Sequence, residues 1–131
     1  MTLTVRTGPS RGRLFKLFTD LGPYFRKLQS TEFSFFFDCL EICIDSENEP
    51  EKREFYGWWL VVTKEENGFY YQRFDGTYNL EGDWVIENIC QKDLQQLDNS
   101  FELFIKRLEA VINIETGQKF EALQQIALTE V

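Results

Sequence analysis

The sequence predicts an α+β fold, in which one antiparallel sheet of about four strands is flanked by an N-terminal helix and a long C-terminal helix. Three observations predict it: helical spacing of apolar residues towards both ends of the chain, aromatic and β-branched runs between them, and turn signals that separate those runs. A chain of 131 residues suits a single domain. We expect its core to span about 10–112, followed by a weakly patterned tail over 113–131.

The first helix is predicted over about 10–21. Apolar residues recur there at steps of three and four, and this spacing places them on one helical face. They are Leu14, Leu17, Phe18 and Leu21. Gly22 and Pro23 end the pattern, because glycine accepts the left-handed conformation at a helix end and proline cannot continue a helix.

The first strand is predicted over 35–44 and is apolar on both faces. One face carries Phe36, Leu40, Ile42 and Ile44, and the other carries Phe35, Phe37, Cys39 and Cys43. This pattern favours a strand that is covered on at least part of each side. Asp38 and Glu41 interrupt the two faces, so their carboxylates need partners or water.

Three more strands are predicted after a charged loop over 45–54. They cover 55–62, 69–74 and 84–86, with turns at Asn67-Gly68, at Asp75-Gly76 and over 81–83. Strands joined by such short turns must be antiparallel, since a parallel crossover needs a dozen or more residues.

The long helix has the clearest pattern in the chain. Its apolar residues are Leu94, Leu97, Phe101, Phe104, Ile105, Leu108, Val111 and Ile112. A stripe of this length must pack on the sheet or on a partner. Asp93 and Gln96 are a candidate capping box at its start. The pattern weakens beyond Asn113, and a short helix is predicted over 120–128.

The net charge of −8 does not favour a general nucleic-acid binder, which depends on basic surface. The charge is uneven, however. Residues 1–30 hold six basic side chains and one acid, a net +5, whereas residues 31–131 carry a net −13. The basic end is either a surface that meets an acidic partner or the solvated face of the first helix.

The three cysteines, Cys39, Cys43 and Cys90, favour buried free thiols in a reducing compartment over a disulfide framework. Cys39 and Cys43 lie four strand positions apart, about 13 Å, which is too far for one zinc ion to bridge. The chain shows no secretory signal pattern and no apolar run of 18 residues, so we expect a cytoplasmic protein without a membrane span.

The chain has no histidine. This removes Ser–His and Cys–His nucleophilic pairs, as well as the commonest general base and metal ligand. The sequence also lacks dinucleotide, Walker and metalloprotease motifs, and its acids follow no recognisable pairing. We therefore expect no enzyme activity, no cofactor and no metal.

The stretch 53–59 is rich in Arg, Tyr and Trp, the residue types that carry most interface energy. On a strand, one face would carry Tyr56 and Trp58, and the other would carry Phe55, Gly57 and Trp59. One face can then be core while the other meets a partner; alternatively, all of these aromatic side chains are core. We expect Arg53 to be exposed, since an unpaired buried guanidinium is costly.

Four motifs resemble, in their order and spacing, the Crl family of small bacterial proteins that bind the stationary-phase sigma factor. The motifs are Phe18-Thr19-Asp20-Leu21-Gly22-Pro23-Tyr24, Phe35-Phe36-Phe37-Asp38-Cys39-Leu40, Arg53-Glu54-Phe55-Tyr56-Gly57-Trp58-Trp59 and Gly82-Asp83-Trp84. The resemblance runs from about residue 10 to residue 112. Four motifs at consistent spacing are a specific signal, unlike any one of them alone.

The resemblance implies a transcription activator that binds domain 2 of that sigma factor and favours its assembly with core RNA polymerase, without binding a specific DNA site. It assigns the sigma-binding surface to Tyr24, Arg53, Phe55 and Trp58, with Glu54 beside them. Arg53 would face an acidic patch on the sigma factor. Arg11, Arg13 and Arg26 are candidates for facing the polymerase directly, and we expect the protein to be a monomer.

The sequence departs from the family pattern at some positions. Tyr56 stands where the family is expected to have Trp, and residues 29–31 lack a cysteine that some members carry there. Cys90 and the tail match nothing in the family pattern. Two other classes of function stay open. One is a nucleic-acid binder that uses the basic N-terminal segment, and the other is a small-molecule-binding or carboxylate enzyme domain with an aromatic-lined pocket.

Overall fold

The computed structural model describes residues 10–123 and has the predicted α+β fold. The helices and strands are α1 (Arg11–Asp20), β1 (Ser34–Cys43), β2 (Phe55–Glu65), β3 (Gly68–Tyr78), β4 (Trp84–Ile86), α2 (Gln91–Thr116) and β5 (Lys119–Ala122). Two short 3₁₀ turns lie at Lys27–Gln29 and Pro50–Lys52. The strands form one sheet.

The sheet is an antiparallel meander with one parallel strand added. The meander has the order β1-β2-β3-β4, as the short turns predicted. β4 pairs with the C-terminal end of β3, at Gly76 to Tyr78. β5 pairs in parallel with the N-terminal end of the same strand, at Gly68 to Tyr71. The described sheet therefore has five strands and not four.

Both described helices pack on the same face of the sheet, which we call the core face. The ring of Phe18 on α1 contacts the rings of Phe35 and Phe37 on β1. The Phe104 ring on α2 stacks on Trp58 of β2 at a centroid distance of 5.6 Å. These rings and their aliphatic neighbours form one continuous core. The opposite side of the sheet, the outer face, is left without a helix among the described residues.

A β-bulge in β1 changes which residues face the core. Phe35, Phe37 and Cys39 point into it as predicted. The register then shifts between Leu40 and Ile42, and the side chain of Ile42 packs against the core. The prediction that Ile42 shares a face with Leu40 is therefore wrong, because the extra residue of a bulge reverses the alternation beyond it.

The turn predicted over 81–83 is confirmed, the β2–β3 turn lies one residue before the predicted Asn67-Gly68, and a third predicted turn is absent. The β2–β3 hairpin turns at Glu66-Asn67, between the paired residues Glu65 and Gly68, and a turn occupies 81–83. The turn predicted at Asp75-Gly76 is wrong, because β3 continues through it. Gly76 allows β3 and β4 to approach closely, because a Cβ there would lie 2.0 Å from the Val85 carbonyl oxygen.

Both helices have identifiable ends. The Ser10 hydroxyl caps α1 by accepting a hydrogen bond from the Arg13 amide. α2 begins after Cys90, which makes no side-chain capping bond. The proposed Asp93 capping box is therefore wrong, and the Asp93 carboxylate instead accepts from the Cys90 thiol at 3.3 Å. Gly117 ends α2 in the left-handed conformation, with φ 69°.

The chain after α2 forms a strand where a short helix was predicted. Phe120 is 6% exposed, and its ring stacks on Tyr71 at 4.9 Å. The prediction of a helix over 120–128 is wrong for 120–123, and 124–128 lie outside the described residues. Burial of one ring and pairing along the β3 edge outweigh a weak helical preference here.

Candidate functional site

The outer face carries a cluster of half-buried aromatic side chains, which we call the outer cluster: Trp59, Phe74, Tyr78 and Trp84. The Trp59 ring stacks on Phe74 at 5.3 Å and lies 4.8 Å from Trp84. The Tyr78 ring meets Trp84 edge-on at 5.3 Å. Large amphipathic rings on a face without a helix are typical of protein contact surfaces.

Trp84 reaches across the sheet from β4 to β1. A Cβ on Gly57 of β2 would lie 2.8 Å from the tip of the indole, so the ring passes over this glycine. The indole Nε1 donates to Asp38 Oδ2 at 2.9 Å. The other carboxylate oxygen, Oδ1, accepts a short hydrogen bond from Arg26 Nε. Asp38 was expected to need partners, and these two side chains supply them.

A cleft of about 480 Å³ opens beside this network. Its lining includes Arg26, Phe36 and Leu40 on one side and Tyr78, Gly82 and Trp84 on the other. The cleft thus lies between two parts of the chain that are distant in sequence, and it presents both rings and charges to a partner.

Arg53, Glu54 and Phe55 lie together where β2 begins. Phe55 is half-buried and stands opposite Cys43 and Tyr78 in the sheet. Glu54 is also half-buried. It lines a second cavity, and Glu81 and Glu87 line the same cavity. The cavity next to the start of β2 is therefore lined by acidic side chains.

Arg53 was predicted to be exposed, but its side chain is half-buried. Its Nε donates to the Asn48 carbonyl at 2.8 Å, and its Nη2 donates to the Ser46 carbonyl at 2.9 Å. The guanidinium therefore holds the 45–54 loop in shape. The Nη1 nitrogen makes no hydrogen bond to the described residues.

Tyr24 lies along the free edge of β1. Its carbonyl accepts from the Asp38 amide at 3.0 Å, and its ring packs edge-on against Trp58 and Phe104. Burial raises the pKa of the Tyr24 phenol above its usual value, and the nearby Cys39 thiol raises it further. The phenol is thus neutral and half-buried at neutral pH.

Trp58 is fully buried on the core face. Its Nε1 donates to Ser100 Oγ at 2.8 Å, which ties β2 to α2. Trp58 and Tyr24 are in contact, but alternation along β2 puts Trp58 and Phe55 on opposite faces. The five sigma-binding candidates therefore do not form one continuous patch in this conformation.

The three arginines that are candidates for facing the polymerase lie apart from one another. Arg11 stacks over the Phe15 ring at 4.1 Å, and Arg13 pairs with Glu115 at 3.4 Å. Phe15 of α1 packs on Phe35 near the start of β1, whereas Arg53 lies beyond its far end, roughly 30 Å away along a ten-residue strand. Arg26 is bound to Asp38 on the outer side.

Sequence reasoning missed the outer cluster and the role of Trp84. Two features of the sequence pointed to this contact. The motif at 82–84 contains a tryptophan to which no role was assigned, and Asp38 is a charged residue within an apolar strand. The register of β3 and β4 was needed to connect them.

The described residues show no sign of a metal site or membrane span. All three cysteines are free, but only Cys39 is buried as expected; Cys43 is half-buried and Cys90 is exposed. Residues 10–123 contain no group of three or more His, Cys, Asp or Glu side chains placed to hold a metal ion. Within the same residues, neither helix combines the length and apolar character that crossing a membrane requires.

Comparison with known proteins identifies the family. The sequence model of the family described as "Sigma factor-binding transcriptional regulator Crl" matches residues 1–129. The chain belongs to the Crl family. The resemblance found in the four sequence motifs is thereby confirmed, and the fold described above is that of a member of this family of transcriptional regulators.

Relatives in the Crl family cover most of this chain. The Photobacterium profundum protein named "Sigma factor-binding protein Crl" is 43% identical over 118 residues, which is 90% of this chain and 89% of the relative. A Vibrio vulnificus protein of the same name is 38% identical, over 80% of this chain and 84% of its own. One from Vibrio cholerae is 37% identical, over 76% and 78%.

Proposed function

We propose that this Crl-family chain binds domain 2 of the stationary-phase sigma factor and favours its assembly with core RNA polymerase. The observation that carries the proposal is the outer cluster, a set of aromatic rings on the face that no described helix covers, beside a cleft lined by Arg26. Aromatic and arginine side chains are the types that dominate binding energy in protein interfaces. The family membership makes a sigma factor the partner to test.

Arg53 is the proposed electrostatic anchor. Acidic side chains near Arg53 repel most acidic partners. Only a partner that places its acid directly at the guanidinium therefore gains binding energy from this arginine. Phe55 would bury its ring beside it, and Glu54 would discriminate against misplaced acids. These roles fit a contact that recognises one sigma factor among several.

Tyr24 and Trp58 are proposed to act differently from Arg53. Tyr24 is half-buried and can offer one edge to a partner, whereas Trp58 supports Tyr24 from inside the core. Arg11, Arg13 and Arg26 remain candidates for a direct contact with the polymerase. A coupling of 1–3 kcal/mol between the two binding events would change assembly about 5- to 150-fold.

The nucleic-acid alternative gains no support from the geometry. On α1, Arg13 pairs with Glu115 and Lys16 pairs with Asp20, so acids offset part of the basic charge. A gel shift at low salt tests this alternative, because phosphate contacts would give an affinity that falls steeply as salt rises.

The test is calorimetric titration into domain 2 of the stationary-phase sigma factor, with the housekeeping sigma factor as control. We expect Arg53→Ala to weaken binding at least about tenfold through loss of a charged contact. Lys52→Ala is the matched control, because it removes the same charge from a neighbouring exposed side chain. Arg53→Lys separates the electrostatic contact from the support of the loop. Lysine keeps the charge but loses the guanidinium fork that bonds the Ser46 and Asn48 carbonyls.

Unchanged affinity of a folded Arg53→Ala variant would exclude Arg53 from the contact. Absence of binding by the unmodified protein to either sigma factor would contradict the proposed function itself.

A further inference from the structure

Two segments far apart in sequence form the walls of the cleft on the outer face. The edge segment, residues 23–26, runs beside β1, where the Arg26 amide donates to the Phe36 carbonyl at 2.8 Å. The turn segment, residues 79–83, connects β3 to β4 and leads directly into Trp84. No backbone pairing joins these two segments among the described residues, since β2 and β3 lie between them.

One side-chain network spans the gap between the segments. The Trp84 indole donates to Asp38, and the same carboxylate accepts from Arg26. Arg26 in turn donates from Nη1 to the Pro23 carbonyl at 3.1 Å. The network therefore runs from β4 across two strands to the edge segment.

Gly57 makes the crossing possible. A Cβ at this position would lie 2.8 Å from the Trp84 ring and 2.0 Å from the Cys39 carbonyl oxygen. Any other residue would push the indole away from the sheet or separate β1 from β2. The Trp84 ring can lie close to the strand only because β2 has no side chain there.

Asp38 makes the network costly to open. Its side chain is 8% exposed, and its two oxygens are bonded to different segments. If either segment moves away, a buried charged acceptor loses a partner, and that loss is far more costly than the loss of a solvated contact. The carboxylate therefore favours the state in which both segments are in place together.

We propose that Asp38 and Trp84 are positioning residues of the sigma-binding surface, and that their hydrogen bond across Gly57 holds the edge segment and the turn segment in one fixed arrangement. The inference rests on the proposed function. A surface held in its bound geometry before contact avoids the entropy cost of ordering two segments on binding.

The first test measures binding of full-length variants to sigma domain 2. Trp84→Phe keeps an aromatic ring but removes the indole donor, and Asp38→Asn removes the charge but keeps one acceptor oxygen. We expect each change to weaken binding about tenfold, because a hydrogen bond to a charged group is lost. The double variant should bind about as weakly as either single variant, since both changes open the same network.

The second test measures backbone hydrogen exchange in the free protein. In Trp84→Phe, the Arg26 and Asp38 amides, which bond the edge segment to β1, should exchange faster than in the unmodified protein. The Lys64 amide donates to the Phe33 carbonyl at the far end of β1 and should be unchanged. Val62→Ala is the control for stability, because it removes core volume near that far end.

The outcomes separate the inference from the proposed function. Faster exchange with weaker binding in Trp84→Phe, and no comparable loss of binding in Val62→Ala, supports the inference. Unchanged exchange, or unchanged binding despite faster exchange, overturns it. If the unmodified protein binds no sigma factor, the proposed function fails and the positioning role fails with it, whereas the exchange result still shows whether the network holds the edge segment.

Discussion

At the scale of single residues, Cys39 shows how neighbours set side-chain chemistry. Its thiol is 5% exposed, lies 3.4 Å from Glu41 Oε1 and lies 3.9 Å from Ser100 Oγ. Burial is the main reason that the pKa of this thiol rises from 9.0 to about 11, and Glu41 adds to the increase. The reactive thiolate is thus scarce at physiological pH.

We expect the three cysteines to differ strongly in reactivity. At pH 8, Cys39 should carry about 100-fold less thiolate than an ordinary thiol, since each pKa unit changes this fraction tenfold. The exposed Cys90 should react first. Titration with a disulfide reagent would show one rapid thiol, and Cys39 should react at a normal rate only in denaturant. Rapid modification of Cys39 in the folded protein would contradict its burial.

At the scale of elements, glycines have opposite effects in a strand and in a helix. Gly76 lies where β4 approaches β3, so any Cβ there would overlap the Val85 carbonyl. Gly12 lies in α1, with nothing within 4 Å of the position a Cβ would take. The same substitution should therefore change stability in opposite directions at these two positions.

Gly76→Ala should lower the free energy of unfolding by at least about 2 kcal/mol, because the strands must separate to admit the methyl group. Gly12→Ala should raise it by about 0.5–1 kcal/mol, because alanine loses less backbone entropy in a helix. Urea denaturation of both variants measures this difference. Equal stability of the two variants would contradict the strand register at β4.

The elements also show what sequence patterns can predict. Local signals placed α1, the meander and α2 correctly, because helical spacing and turn chemistry act over a few residues. The bulge at Glu41, the passage of β3 through Gly76 and the strand nature of β5 were not predictable, since each depends on a distant strand. Similarly, the sequence indicated Arg53 and Tyr24 as site candidates, but only the sheet register brings Trp84 to Asp38.

At the scale of the whole molecule, the two faces of the sheet differ in what covers them. Both described helices cover the core face, where Trp58 is fully buried. The outer face keeps its rings half-exposed beside the cleft. A two-layer arrangement of this kind buries one side of the sheet, and no described helix covers the other side. A partner could therefore contact the outer cluster without rearrangement of the core.

The parallel placement of β5 sets the order in which the molecule can assemble. β5 pairs with β3 across an intervening stretch that contains β4 and α2, with Gly68 opposite Lys119. Closing so long a loop is slow and entropically costly, whereas the β1–β2–β3 meander needs only short turns. We expect the meander to form in the folding transition state and β5 to join afterwards.

Kinetics would reveal this order. Phe120→Ala should raise the unfolding rate and leave the folding rate nearly unchanged, because its contacts form late. Leu60→Ala, in the middle of β2, should mainly slow folding. Stopped-flow measurements over a range of urea concentrations distinguish the two, and slower folding of Phe120→Ala would contradict late docking. On the ribosome, β5 would then be added to a sheet that has already formed.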